Sequence, residues 1–399
     1  MNLLTPTLKD EKKSYTWARR PSLASKRHKV SFSGSSKGST SESQDEASSS
    51  SESPNLWAPS IVPGPIIDGK VWQAVDRKKE AIFVDATPTP PEAKPFLIHD
   101  DSFLKILGED PTVQVLIEDR RAPYFYNGGV YNSKTNSFFI SSAPIPNSSP
   151  SAAPSKNLTV VLSKIEFYDR DHTRDKVRTG ETSFMFGSGC NYGAGMVLCS
   201  HGTLKDPACL VFMELKRPHK MHILLTNYMG QMLNSPHSCV AHPDGSIWFS
   251  DPHITSYRPK PKLPPMIYRF NPQTSDLKAV TNDVKRPTCL AFSPSYKTLY
   301  VIDGAVYAFT VLQPYGFVTQ KRLFAWLDAK AMVVDCSGNV FIAVDECIYI
   351  YAESGSLIGR INIEKCTGLC FGSDNQLLAS AGEKLWQIQL NTKKTTAKT

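Results

Sequence analysis

Apolar and polar residues alternate in short stretches of this chain, and the clearest of these stretches is 233–252. Its pattern predicts one strand over residues 238–242 and a second over 246–250, joined by a Pro-Asp-Gly turn at 243–245. These turn residues suit a hairpin, because Pro presets φ, Asp bonds its own backbone and Gly accepts a positive φ. We therefore expect a β-hairpin whose second strand ends in a polar Ser-Asp-Pro segment.

The same hairpin pattern occurs several times along the chain. Further copies begin at Gly128 (GGVYNSKTNSFFISSA), Thr288 (TCLAFSPSYKTLYVIDG), Ala331 (AMVVDCSGNVFIAVDE) and Thr367 (TGLCFGSDNQLLASAGE). Neighbouring copies from the 238–250 hairpin onward are roughly 40–50 residues apart, which is the period of a four-stranded propeller blade. The repeat therefore predicts an all-β fold of the propeller type.

Composition divides the chain into four segments. Residues 1–55 are Ser-rich and basic with almost no apolar pattern, which predicts a disordered tail. Residues 56–121 are Pro-rich, and we expect them to be a lead-in of extended segments packed on the propeller. The propeller itself is predicted over 122–390, with a closing strand at 383–390 that pairs with an early strand. Residues 391–399 are predicted to be a second disordered tail.

Shorter elements are also predicted within these segments. A helical turn over 102–107 and a strand over 113–118 are expected in the lead-in. One long strand is expected over 158–167, and the charged residues 168–181 are expected to form an irregular surface excursion.

Charge and composition narrow the functional classes. The net charge of +8 comes partly from the tail, and the folded part shows no basic patch with interleaved aromatics, so we expect no nucleic-acid partner. No apolar run approaches the roughly 18 residues of a membrane helix, and no secretory h-region is visible, so we expect a cytoplasmic, membrane-free monomer. The 9 cysteines lack metal-type spacing and suit a reduced compartment. Ser22 follows Arg19-Arg20-Pro21 and is a candidate phosphorylation site.

From about residue 125 to 390 the chain resembles a known family. The runs that carry the resemblance are GGVYNSKTNSFFISS, CSHGTLKDPACLVFMEL, SPHSCVAHPDGSIWFSDP, RPKPKLPPMIYRFNPQT, RPTCLAFSPSYKTLYVIDG and VVDCSGNVFIAVDECIYIYAESGSLIG. They resemble the gluconolactonase and senescence-marker-protein family, most closely its fungal lactonohydrolase branch. The resemblance implies a six-bladed β-propeller that binds one divalent cation, usually calcium, on its central axis. It also implies the opening of small lactone rings by a metal-activated water.

Four positions depart from the metal-binding pattern that the resemblance implies. Asn127 stands where the family has Glu, His237 and Thr288 stand where it has Asn, and Lys330 stands where it has Asp. Ser238 also replaces the Asp that follows the first of those Asn residues. Calcium prefers hard oxygen ligands that include carboxylates. An ammonium a few ångströms from the ion weakens its binding by several kcal/mol, even at an effective dielectric constant of about 20. We therefore expect no metal and no other cofactor.

A zinc site is the metal alternative. It would need at least three N, S or carboxylate ligands, so His237 would have to be joined by residues such as Asp251, His253 and Asp303.

The pocket on the channel axis remains a candidate site for a small-molecule ligand. Lys330 and His237 are the predicted catalytic residues, with Lys330 supplying positive charge, or a neutral amine if its pKa is lowered, and His237 moving protons. His201, Ser238, Asp251 and Asp303 are further candidate pocket members. The opposing interpretation is a degenerate site in which Lys330 reaches water and His237 is packed.

Three functions fit these observations. The first is a lactonohydrolase-like enzyme that acts on a small lactone or natural-product intermediate without calcium. The second is a metal-independent cyclase, isomerase or pericyclase-type enzyme of fungal secondary metabolism. The third is a non-catalytic pseudoenzyme scaffold. Overall resemblance favours the first, whereas the four substitutions favour the second and third.

Overall fold

Six antiparallel sheets form the body of the protein. The computed structural model describes residues 95–146, 158–168, 171–179, 184–254, 258–314, 316–373 and 375–391. The predicted tail at 1–55, Ser22 and most of the predicted lead-in lie outside these residues. The described part is nearly all-β, and its sheets are arranged as the blades of a six-bladed propeller.

Each of the first four blades takes its strands from one continuous stretch of the chain, and in blade 1 a small separate hairpin interrupts the series. Blade 1 contains β3 (Val130–Asn132), β4 (Ser137–Ser141), β7 (Leu162–Phe167) and β8 (His172–Lys176). Blade 2 contains β9 (Phe186–Tyr192), β10 (Gly195–Ser200), β11 (Cys209–Glu214) and β12 (Met221–Leu225). Blade 3 contains β15 (Cys239–Ala241), β16 (Ile247–Asp251), β17 (Met266–Asn271) and β18 (Asp276–Thr281). Blade 4 contains β19 (Cys289–Phe292), β20 (Thr298–Ile302), β21 (Val306–Leu312) and β22 (Phe317–Ala325).

The last two blades combine C-terminal strands with strands from before residue 122. Blade 5 contains β23 (Ala331–Val334), β24 (Val340–Ala343), β25 (Ile348–Tyr351), β26 (Leu357–Ile361) and, at its outer edge, β1 (Phe96–Ile98). Blade 6 contains β27 (Gly368–Phe371), β28 (Gln376–Ala381), β29 (Lys384–Gln389) and, as its outermost strand, β2 (Thr112–Glu118). The pairing of β29 with β2 closes the ring and confirms that the last strand pairs with an early one.

Three smaller elements complete the described part. A short helix, α1 (Ser102–Leu107), lies between β1 and β2, and two small hairpins pair β5 (Ile145–Pro146) with β6 (Leu158–Thr159) and β13 (Asn227–Tyr228) with β14 (Gln231–Met232). No helix in this part of the chain is long and apolar enough to span a membrane.

Hydrophobic clusters fill the spaces between neighbouring blades. Successive side chains of a strand point to opposite faces of its sheet, so each middle strand serves two clusters. In β16, for example, Trp248 packs toward blade 4 and Phe249 toward blade 2. Six such clusters connect the six blades in a closed ring. Burial between blades therefore holds the ring together, while backbone ladders hold each blade.

Several predicted elements differ from the structure. Two strands from before residue 122 join the blades, since β1 pairs with β26 and β2 pairs along β29, whereas the propeller was expected to begin at 122. The single strand predicted over 158–167 is interrupted at Val160 and Val161, where the amide of Val161 donates to the Ser142 hydroxyl at 2.9 Å. The predicted excursion at 168–181 contains β8, the outer strand of blade 1. Asn391, predicted to begin a tail, donates its amide to the Ile106 carbonyl at 2.8 Å.

Four residues that lie one or two positions before the innermost strands β15, β19, β23 and β27 are at the same end of the channel. The amides of these residues donate to the carbonyl near the end of the next strand: His237 to Ser250, Thr288 to Ile302, Lys330 to Ala343 and Thr367 to Ser380, at 2.7–3.0 Å. We call this end of the channel the mouth. The repeated hairpin of the sequence therefore places one variable side chain per blade at the mouth.

Candidate functional site

Two neighbouring cavities share lining residues at the mouth. The channel has a volume of about 610 Å³, and a side chamber of about 160 Å³ lies next to it. Both are lined by Tyr126, Asn127, His237, Arg286 and Thr288, and we call these five residues the junction. The structure thus brings together three of the four substituted positions. The fourth, Lys330, lines the channel only, and His201 lines the chamber only.

His237 is held as a neutral imidazole. Its Nδ1 lies 2.8 Å from the Thr288 carbonyl oxygen, so Nδ1 carries the proton and donates it. The pKa of His237 is lowered to about 4, chiefly by burial and with a contribution from Arg286, against the opposite effect of the Thr288 carbonyl. The remaining nitrogen, Nε2, is therefore a hydrogen-bond acceptor at neutral pH.

His201 stacks on His237. The two ring centroids are 4.9 Å apart with an interplanar angle of 20°. His201 is buried, and burial together with the neighbouring His237 and Arg258 lowers its pKa well below the usual range. Two charged imidazoles cannot share this space without a large desolvation cost, so the pair is neutral.

Gly187 makes room for this pair. A Cβ atom at Gly187 would lie 2.6 Å from the His237 carbonyl oxygen and 2.7 Å from Nε2 of His201. Sequence reasoning missed this residue, because nothing in the local pattern shows that His201 and His237, from loops elsewhere in the chain, approach its backbone.

Asn127 presents one end of its amide to the cavities. Its side-chain nitrogen donates to the Ser141 hydroxyl at 2.9 Å and to the Phe186 carbonyl at 3.1 Å. These two bonds orient the amide and leave its oxygen as the acceptor that a ligand can use.

Lys330 is a compensated cation. Its Nζ lies 2.7 Å from an Asp328 carboxylate oxygen and 3.6 Å from one of Asp345. The hydrogen bond that Lys330 donates to Asp328 is the main cause that raises the pKa of Lys330 above its usual value, and Asp345 adds to it. That direction is opposite to the lowered pKa that an amine base or Schiff-base nucleophile needs.

The other predicted pocket residues have structural contacts. Ser238 lines the channel, and its hydroxyl accepts the amide of Leu290 at 3.2 Å, which joins blades 3 and 4. Asp251 and Asp303 line neither cavity. Asp251 accepts the amides of Asn234 and Ser235, and Asp303 accepts those of Lys285 and Arg286. The two aspartates thus hold the loops that lead into β15 and β19.

The junction does not suit a hard divalent cation. It contributes no carboxylate, Nδ1 of His237 is used by Thr288, and the nearby Lys330 is cationic. A zinc triad is not formed either, since the ring of His253 contacts the Pro259 carbonyl at 3.1 Å. Among the described residues there is no group of three His, Cys, Asp or Glu side chains able to hold a metal ion.

Arg286 is a site residue that the sequence prediction did not include. It is exposed, it lines both cavities, and its own amide is held by the Asp303 carboxylate. The signal available in the sequence was its place two residues before Thr288, in the run RPTCLAFSP.

Solved structures share this architecture. The fold matches that of a gluconolactonase from Xanthomonas campestris with a TM-score of 0.60 at 20% identity, over 76% of this chain and 99% of that one. It also matches a calcium-binding regucalcin from Agrobacterium tumefaciens with a TM-score of 0.51 at 15% identity, over 71% and 96% of the two chains. At these identities the matches establish the fold.

Curated relatives add sequence evidence. A gluconolactonase from Zymomonas mobilis is 25% identical over 195 residues, which are 43% of this chain and 54% of the relative. The lactonohydrolase oryL of Aspergillus oryzae is 33% identical over 90 residues, 21% of this chain and 20% of the relative. The match thus spans about half the length of the first relative and a fifth of the second. The family model for the SMP-30/gluconolactonase/LRE-like region matches residues 162–380, more than half of the 399 residues, and the chain therefore belongs to that family.

Proposed function

We propose that this protein is a lactonohydrolase-like enzyme that opens a small lactone or natural-product lactone at the junction without calcium. Family membership supports the reaction class. The proposed place and metal-free mechanism rest on His237. Its neutral ring is fixed by the Thr288 carbonyl, and its Nε2 remains available where the two cavities share their lining.

The proposed chemistry uses side chains of this chain only. A water molecule on Nε2 of His237 attacks the lactone carbonyl carbon while the imidazole takes its proton. The tetrahedral intermediate then expels the ring oxygen, which receives that proton from the imidazolium, and the product is a hydroxy acid. The hydroxyl of Thr288, a residue that lines both cavities, is the donor proposed for the developing oxyanion. Stacking on His201 keeps the ring of His237 in one orientation.

The test is hydrolysis of glucono-1,5-lactone by the purified full chain, followed with a pH indicator above the spontaneous rate. We expect turnover that survives EDTA treatment and that falls by about 10²-fold in His237→Gln, the loss typical of a missing general base. His222→Gln is the matched control, since His222 is exposed on the outer strand of blade 2. A rate that depends on added calcium would reject the metal-independent mechanism. Absence of turnover, or equal rates in His237→Gln and the parent, would favour a scaffold.

A further inference from the structure

We infer that Arg286 is the anion anchor of the junction and that the substrates are lactones which carry a separate carboxylate. This inference rests on the proposed function and specifies its substrate class. It differs from the sequence prediction, which assigned the positive charge of the pocket to Lys330.

The charges on the cavity walls are the first step. Among the described residues that line the two cavities, the charged side chains are Arg286, Asp328, Lys330 and Asp335. Lys330 is paired with Asp328, and Asp345 lies 3.6 Å from its Nζ. The Asp335 carboxylate accepts the amides of Ser337 and Asn339 within its own turn. No carboxylate in the described part of the chain forms an ion pair with Arg286, so the positive charge at the junction is uncompensated.

The fixed backbone of Arg286 is the second step. The carboxylate of Asp303, whose side chain is only 3% exposed, accepts the amides of Lys285 and Arg286. The ring of Pro287 fixes the φ angle of that residue, and the carbonyl of Thr288 accepts a hydrogen bond from His237. One four-residue segment therefore orients both the guanidinium-bearing residue and the imidazole. A cation on a rigid backbone loses less conformational freedom when it binds an anion than one on a mobile loop.

The chemistry of the guanidinium gives the substrate class. Its planar fork matches a carboxylate with two parallel N–H donors, and such charge-assisted pairs are stronger than neutral hydrogen bonds. Because Arg286 and His237 line the same junction, a carboxylate on Arg286 places the rest of a small lactone beside the imidazole. An uncharged sugar lactone has no group for this contact.

A matched pair of γ-lactones tests the inference. D-Glucaro-1,4-lactone carries a carboxylate at C6, whereas D-glucono-1,4-lactone carries a hydroxymethyl group there. We expect the parent protein to favour the glucaro-lactone by about tenfold or more in kcat/KM and in calorimetric affinity, the range of a hydrogen bond to a charged group. Arg286→Gln should abolish that preference, so that the variant handles the two lactones alike, whereas Lys285→Gln should keep it. Lys285→Gln is the control, because Lys285 is an exposed cation on the same segment that lines neither cavity.

Each result separates this inference from the proposed function. If the parent hydrolyses the two lactones at equal rates and Arg286→Gln does the same, the inference is overturned and the proposed function stands. Loss of the preference in Lys330→Gln instead of Arg286→Gln also overturns it. Arg286-dependent binding of the glucaro-lactone without turnover supports the anchor and rejects hydrolysis of this lactone class. If neither lactone binds or reacts, both the anchor and the lactonase assignment are overturned.

Discussion

Replacing Asp119 with Asn should weaken the closure of the propeller. Asp119 directly follows the closing strand β2, and its amide donates to the Glu383 carbonyl at 2.8 Å. Its carboxylate accepts from Nε and Nη2 of Arg121 at 2.9 and 2.7 Å, and from Nη1 of Arg174, in the outer strand of blade 1, at 2.7 Å. The guanidinium of Arg174 lies over the ring of Tyr124, 4.3 Å from its centroid. Asp119 therefore links the last blade to the first.

The expected loss of stability in Asp119→Asn follows from the burial of the two side chains. The side chains of Asp119 and Arg174 are 8% and 20% exposed, so this bond is shielded from water and salt. A hydrogen bond to a charged group contributes about 1.5–3 kcal/mol, and Asn keeps one neutral acceptor, so we expect a loss of about 2 kcal/mol. For a domain of this size that loss lowers the Tm by roughly 4 °C. The Arg121 side chain is 80% exposed, and we assign it no share.

The assay is urea unfolding at several pH values, with Glu118→Gln as the matched control. Glu118 pairs with the exposed Arg120, so its loss should leave stability unchanged within error. Hydrogen bonds from Arg121 and then from Arg174 hold the pKa of Asp119 well below its usual range. A depressed pKa contributes stability above the unfolded-state value and loses it on acidification, so the difference between parent and Asp119→Asn should shrink below about pH 4. Equal effects of the two substitutions, or a difference that does not change with pH, would refute this account of the closure.

Three further outcomes are expected. Added calcium should leave the Tm of the purified protein within error, because the junction offers no carboxylate; a saturable rise would contradict that donor set. Gly187→Ala should lower turnover and should lower the free energy of unfolding by about 1–3 kcal/mol, because the new Cβ would overlap the stacked His201 and His237. Unchanged thermal melting and an unchanged rate would show that the pair is not tightly packed. Asp251→Asn should destabilise the protein by about 1–3 kcal/mol, because the amide oxygen cannot accept both backbone donors as two carboxylate oxygens do; unfolding in urea measures this, and an unchanged midpoint would contradict it.

The fold could be predicted where the pattern is local. The hairpin predicted over 238–242 and 246–250 is observed as β15 and β16, with each of the four strand ends one residue from its predicted position and a turn in which Gly245 has φ of 82°. Alternation every second residue fixes which side chains are buried, so it is readable in a single strand. The helical turn predicted over 102–107 is also confirmed by α1.

The place of β2 in the propeller is harder to predict, because its partner β29 is far away in the chain. The register of β2 pairs Gln114 with Gln387, and no periodicity in either segment encodes that pairing. A strand at the outer edge of a blade also has weaker alternation, since much of β2 is exposed. Single-sequence reasoning therefore identified a strand here and excluded it from the propeller.

The site shows the same division between local and distant information. The family resemblance implies that Asn127, His237 and Thr288 belong to one site, and in the structure all three line the junction. The charge state of Lys330 depends on Asp328 and Asp345, which approach it from two different loops. A carboxylate that is merely near in sequence gives no orientation, so the pairing could not be predicted.

The junction combines a neutral imidazole with an arginine on a clamped backbone and contains no carboxylate. The position of Asp303 explains how the blade frame can be kept whatever side chains the junction carries. Its carboxylate binds backbone amides of the segment before β19, so the frame is independent of the side chains that the segment carries. Asp251 does the same before β15. The side chains at the mouth can therefore change without loss of the strand positions, and the chemistry of the junction follows from which side chains they are.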